Sequence, residues 1–179
     1  MIEMLNRDDC VLVVIDVQEK LLPVINDREK ILKNNVRLAR FAGVISMPVL
    51  VTEQENLGPT VGELMEELPG VEPVLKIDFD ACGCEEFSRS LEKLGRKTVI
   101  ITGIESHVCV TQTVLHLLPE YTVHVVSDAV SSRTGDNLEV ALQRMRDAGA
   151  VISSTEMVIF ELLEKAGTDE FRATLKLVK

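Results

Sequence analysis

The chain predicts a three-layer α/β/α sandwich built on a six-stranded parallel sheet, and two observations carry that expectation. Apolar runs of strand length alternate along the chain with longer helical patterns, and no composition break marks a linker. The aliphatic content is high while tryptophan is absent and aromatic residues make up only 3% of the 179 residues, which suits a sheet of Val and Ile covered by helices. One domain spanning residues 1–179 is expected, a length able to bury a sizeable core.

The first strand is expected over residues 11–16, an apolar run that ends at Asp16. A helix follows over 27–42, with Ile31, Leu32, Val36, Leu38, Ala39 and Ala42 near the helical period, Asp27 as N-cap and Gly43 as stop. The second strand is expected at 49–52, and Thr60-Val-Gly-Glu63 reads as a capping box opening another helix. A short third strand, 74–76, ends at Lys76. An amphipathic helix over 84–94 is closed by Gly95, and the fourth strand is expected at 98–102. A helix over 108–118 ends at Pro119, and a fifth strand is expected at 122–126. Asp136-Asn-Leu-Glu139 reads as a second capping box, and a short last strand is expected near 150–153. Alternating β and α units of this length imply right-handed crossovers between parallel strands. The expected strand order is 3-2-1-4-5-6, a Rossmann-like arrangement whose reversal falls between the first and fourth strands.

Ligands of such sheets bind in the crevice beyond the carboxyl ends of the strands. Three strand-end positions there supply an acid, Asp16, an amine, Lys76, and a thiol, Cys109. Cys109 sits just inside a helix that follows an apolar strand and a glycine, which would expose its sulfur at a helix N-terminus and favour the thiolate. Each residue alone has a structural explanation: a helix cap, a solvated lysine, a packed cysteine. Together they suit covalent catalysis, in which a sulfur nucleophile attacks an amide or, secondarily, an ester carbonyl and forms an acyl-enzyme. Asp16 would carry the proton, Lys76 would lower the thiol pKa and balance the aspartate charge, and N–H groups of the turn before Cys109 would face an oxyanion.

The formal charge of −10 at pH 7 argues against nucleic acid or an anionic membrane as partner. The N-terminal stretch 1–7 lacks an apolar core, and no segment approaches the roughly 20 apolar residues of a membrane span. Cysteines at 10, 82, 84 and 109 lack the spacing of a secreted disulfide framework, so a reducing, cytoplasmic setting is expected. Cys82-Gly-Cys84 matches zinc spacings poorly and has no second pair, and neither a metal nor a cofactor is expected. Neighbours two apart on a helix diverge, which disfavours a Cys109–His107 dyad. His116 and His124 read as packing or surface residues, and Phe79 as either core or a stacking surface for a planar substrate.

These residues resemble the isochorismatase-like, or cysteine hydrolase, superfamily that includes nicotinamidase, and the likeness covers nearly the whole chain. Asp16-Val-Gln18 is similar to the family's first-strand motif with its catalytic aspartate, Lys76 to its catalytic lysine, and Gly103-Ile-Glu-Ser-His-Val-Cys109-Val to its nucleophile motif. Thr52-Glu-Gln54, Leu57-Gly-Pro-Thr-Val61 and the segment 123–133 are similar to the isochorismatase domain-containing subgroup. The resemblance implies a cis peptide between Ile104 and Glu105 that aims the Glu105 N–H, with that of Cys109, at the substrate oxygen. It also places Gln18, Gln54, Phe79 and Ser106 as candidate walls of a small-molecule pocket, and implies a homo-oligomer, dimer or larger.

The departures narrow the reading. Nicotinamidases carry Asp-x-His and a further histidine after the second strand; here that region is Glu53-Gln-Glu-Asn-Leu-Gly58, so their metal site is not expected. Isochorismatases proper lack the cysteine, so Cys109 argues against isochorismate as substrate. Ser106 and His107 stand where the family often has threonine and aspartate. Other classes fit less well. A receiver domain needs adjacent carboxylates after the first strand, and Asp16 is followed by Val-Gln; a dinucleotide-binding module needs a glycine-rich turn there. A binding module that merely retains the fold is the remaining alternative.

Overall fold

Strand β1 (Cys10–Ile15) forms the centre of a six-stranded sheet, and every one of its residues is buried. The computed structural model describes residues 4–178; residues 1–3, the start of the N-terminal stretch considered above, and residue 179 lie outside the described residues. The remaining strands are β2 (Val49–Gln54), β3 (Val74–Lys76), β4 (Thr98–Ile104), β5 (Thr122–Ser131) and β6 (Val151–Ser153). All pairings are parallel and the order is 3-2-1-4-5-6, as the alternating pattern implies.

The strands carry no apolar–polar alternation because both faces of the sheet are covered. Even positions of β1 (Cys10, Leu12, Val14) meet α1 (Arg28–Val44) and α6 (Thr155–Leu163), with α7 (Asp169–Val178) packed behind them. Odd positions (Val11, Val13, Ile15) meet α3 (Glu85–Leu94), α4 (Thr111–Leu117) and α5 (Gly135–Asp147). Two apolar clusters thus sandwich the sheet.

Several local expectations need correction. Thr60 is not a capping residue: α2 (Gly62–Met65) has Val61 at its N-cap, and the Thr60 hydroxyl donates instead to Glu53 at 2.7 Å. The helix expected from Asp136 begins at Gly135, where the Thr134 hydroxyl accepts from the Asn137 N–H. Asp27 does occupy the N-cap of α1, but in the left-handed region (φ 54°) and without a side-chain hydrogen bond, and the helix runs through Gly43 to Val44. Ser154 caps α6, a helix that the pattern reading did not place. Gly95 ends α3 with φ 64°, as its position predicted.

Beyond β4 the chain does not enter a regular α-helix. Residues Ser106–Val110 form one π-helical turn and α4 starts only at Thr111. Such wide turns are frequent at functional sites. Among the described residues no helix is long and apolar enough to cross a membrane.

Candidate active site

Asp16, Lys76 and Cys109 all lie at the carboxyl edge of the sheet, just past β1, at the last residue of β3 and in the π-helical turn after β4. The ends of β1 and β4 approach unusually closely. A Cβ on Gly103 (φ +108°) would stand 2.0 Å from the Ile15 carbonyl oxygen, so only glycine fits. The next residue along β1, Asp16, has φ 50°, a left-handed turn that swings the chain away from the strand direction.

The Asp16 carboxylate is fully buried and both oxygens are engaged. Oδ1 accepts from the Thr52 hydroxyl at 2.7 Å and Oδ2 from Lys76 Nζ at 2.8 Å. Lys76 must cross β2 to make this contact. Two strand spacings are about 9.5 Å, a span that an extended lysine and an aspartate bridge together. The ammonium also donates to Gln54 Oε1 at 2.7 Å and stands 3.2 and 3.3 Å from the carbonyl oxygens of Asp78 and Phe79. A charged pair with neither side chain exposed is stable only when its remaining hydrogen-bonding capacity is filled in this way.

Cys109 is 6% exposed, not displayed at a helix N-terminus. Its thiol is pushed up to about 12, first by burial and next by the negative charge of Asp16, while Lys76 acts in the opposite direction. Burial and Asp16 thus act against the resting thiolate expected from the helix terminus, and outweigh the ammonium. Asp16 and Lys76 both act on that sulfur, the one raising and the other lowering its pKa, so the acid, the amine and the thiol belong to one buried site.

The Ile104–Glu105 peptide is cis. The Glu105 carbonyl accepts the N–H groups of Val108 (3.1 Å) and Val110 (3.2 Å), winding the turn around Cys109. The Glu105 carboxylate accepts from Arg133 Nε at 3.0 Å and from the Arg133 N–H at 3.2 Å, which ties the turn to the segment after β5. Ser106 is fully buried; its carbonyl accepts from the Thr111 hydroxyl at 2.6 Å, whereas its own Oγ has no protein partner. His107 points elsewhere, with Nδ1 2.8 Å from Ser132 Oγ.

The proposed pocket walls separate into two kinds. Gln18 is fully buried, with its carboxamide bonded to the backbone at Gln54 (2.8 and 2.9 Å) and Gly58 (2.6 Å), so it clamps the loops beside Asp16. Gln54 spends its amide on Lys76 and on the Ile77 carbonyl (2.6 Å), making it a tether for the ammonium. Phe79 is 55% exposed and belongs to no core. Glu53, in the segment where nicotinamidases bind metal, is occupied by the Thr60 N–H and hydroxyl at 2.6 and 2.7 Å. Thr52 and Arg133 are site partners that the sequence does not assign a role: Thr52 bonds Asp16 and Arg133 bonds Glu105. The signals for Thr52 are its place in the Thr52-Glu-Gln54 motif and the predicted order, in which β2 adjoins β1 so that its last residues flank Asp16.

Comparison with known proteins agrees with this architecture. The family model described as the isochorismatase domain matches residues 10–157. The secreted isochorismatase effector Isc1 of Phytophthora sojae is 41% identical over 176 residues, covering 94% of this chain and 84% of that one. Among solved structures, the MAR1 ribonuclease of Caenorhabditis elegans has a TM-score of 0.91 at 36% identity, covering 98% and 92% of the two chains. YcaC of Pseudomonas aeruginosa, solved with hexane-2,5-diol and covalent acrylamide, has a TM-score of 0.93 at 27% identity, with 99% and 92% covered. YcaC of Escherichia coli, described as an octameric hydrolase of unknown specificity, has a TM-score of 0.88 at 25% identity, with 98% and 87% covered.

Proposed function

The chain belongs to the isochorismatase family, and from that premise we propose that it hydrolyses a carbon–nitrogen bond of a small amide through a thioester on Cys109. The observation that carries this reading is the fully buried Asp16–Lys76 pair, 2.8 Å apart, beside the Cys109 thiol. A sulfur whose pKa is about 12 is not a free thiolate, so attack must be coupled to removal of its proton. Asp16 takes that proton as sulfur bonds to the carbonyl carbon, and passes it to the leaving nitrogen as the carbon–nitrogen bond breaks. Water then attacks the thioester with Asp16 again as base, and the carboxylic acid and thiol are released. Lys76 compensates the charge of Asp16 throughout, and the N–H groups of Glu105 and Cys109 stabilise the oxyanion.

A covalent acrylamide complex of the Pseudomonas aeruginosa relative supports a nucleophile in this family, since a carbon electrophile needs one to bond to. The ribonuclease activity named for the Caenorhabditis elegans relative fits this chain less well, because a formal charge of −10 gives no cationic footprint for a phosphate backbone. We place the enzyme in a reducing, cytoplasmic setting on the basis of its four free cysteines. We also expect a homo-oligomer: edge strand β3 leaves Leu75 and the following Ile77 58% and 74% exposed, and one structural relative is described as octameric.

The test is incubation with a library of small primary and secondary amides, followed by intact-protein mass spectrometry and product detection. The expected result is an acyl adduct confined to Cys109 and turnover lost in folded Cys109→Ala. Turnover that survives Cys109→Ala would overturn the proposal.

A further inference from the structure

A second group of chemistry-bearing side chains lies away from Cys109. The short 3-10 turn Ala81–Gly83 after β3 presents Asp80 and Cys82, and α4 presents His116 across from them. One ligand atom from each of the three lies within 4.8 Å of the others, the single such group of metal-binding side chains among the described residues. Beside them is a cavity of about 80 Å³ whose walls include Cys82, His116, Glu92 and Glu120.

We propose that Asp80, Cys82 and His116 form a binding site for a divalent transition ion of the Zn²⁺ class. Thiolate, imidazole and carboxylate are the donor set that such a borderline-soft ion takes, and three protein ligands leave a fourth position for water or a carboxylate. Ligand atoms around a tetrahedral zinc stand about 3–4 Å apart, given bonds of about 2.0–2.3 Å. The observed spread closes to that by rotation of His116, whose side chain is 59% exposed. The hydrogen bond now joining His116 Nδ1 to Asp80 Oδ2 (2.7 Å) is what the ion would replace.

The surroundings are built to hold these groups in place. The Asp80 Oδ1 accepts the Cys82 N–H at 2.9 Å, the Ser88 hydroxyl donates to the Cys82 carbonyl at 3.0 Å, and the Ala81 N–H donates to the Thr113 hydroxyl at 2.9 Å, pinning the turn to α4. Burial and the charge of Asp80 raise the Cys82 thiol to about 12, so metal binding must displace that proton; the same acidic setting attracts a dication. Cys84 is not part of the group, since its sulfur turns to the Leu75 carbonyl at 3.7 Å. The sequence spacing of Cys82 and Cys84 therefore misleads: the metal partners of Cys82 are a neighbour two residues back and a histidine 34 positions on.

The experiment is a Co²⁺ titration of the full chain after chelator treatment, read by the sulfur-to-cobalt charge-transfer band, with Zn²⁺ competition. Cys109→Ala serves as the background so that the catalytic thiol contributes nothing. One equivalent should bind with the band present, Cys84→Ser should leave it intact, and Cys82→Ser and His116→Ala should each weaken binding at least tenfold. Absence of the band at millimolar Co²⁺, or binding unchanged in His116→Ala, would overturn the proposal. His116 is a surface residue, so loss of folding is not the expected outcome there; a circular dichroism spectrum identical to that of the parent excludes it.

Discussion

Replacing Lys76 by methionine tests whether the charged pair at the sheet edge is dry. At 2.8 Å and an effective dielectric of 20, the attraction between Lys76 and Asp16 is about 6 kcal/mol gross. Most of this offsets desolvation, because neither side chain is exposed. Lys76→Met leaves the carboxylate buried with only the Thr52 hydroxyl for partner and strips Gln54 Oε1 of its donor. A loss of about 3–5 kcal/mol in unfolding free energy is expected. The double variant Asp16→Asn, Lys76→Met keeps an acceptor for Thr52 and removes both charges, so it should recover most of that loss. The assay is urea unfolding of the wild type, both single variants and the double variant, with slopes compared to exclude changes in the unfolded state. A coupling of about 3 kcal/mol is expected; single-variant losses that add to within about 0.5 kcal/mol would refute a dry, mutually dependent pair.

Two further predictions follow from the neighbouring residues. Because the folded-state pKa of Cys109 is raised from 9.0 to about 12, the neutral thiol is favoured in the native protein. Its contribution to stability is full below pH 9 and is lost as pH rises toward 12, and its iodoacetamide alkylation should climb about tenfold per pH unit across that window. Lys76 lowers this pKa, so Lys76→Met should slow alkylation further at pH 9; a rate plateau below pH 9, measured by peptide mapping, would contradict the buried-thiol account. Gly103→Ala forces a Cβ to 2.0 Å from the Ile15 carbonyl in a left-handed conformation and should cost at least about 3 kcal/mol. An unchanged thermal midpoint for that variant would mean that the close approach of β1 and β4 is not required.

Local pattern was enough for the architecture and for where each candidate site residue stands along its strand. An aliphatic run ending in Asp16, a three-residue run ending in Lys76 and the strand–glycine–turn before Cys109 are short-range signals. Parallel topology then places all three at one edge, because every strand of such a sheet delivers its carboxyl end to the same side. What the neighbours do to those residues was not legible. Whether Cys109 is thiol or thiolate depends on how much apolar surface from β1, β4, α3 and α4 closes over it, a sum of contacts distant in sequence. A helix terminus acts on the thiol only through its immediate neighbours, whereas burial and Asp16 push its pKa the other way. That the Gln18 carboxamide is spent on the backbone at Gln54 and Gly58 is equally hidden, because those partners lie 36 and 40 positions away in sequence.

By itself the sequence determined the layered α/β fold, the strand order and the identity of an acid, an amine and a thiol at one sheet edge. Hydrophobic periodicity and chain crossover handedness act over a few residues or a single unit, and a reader of the chain has those in hand. Only the tertiary structure decided that Lys76 spans β2 to reach Asp16, that the sulfur keeps its proton, and that His116 meets Asp80 beside Cys82. Desolvation and charge pairing depend on distances between residues 34 to 93 positions apart, and those distances exist only after the sheet has closed.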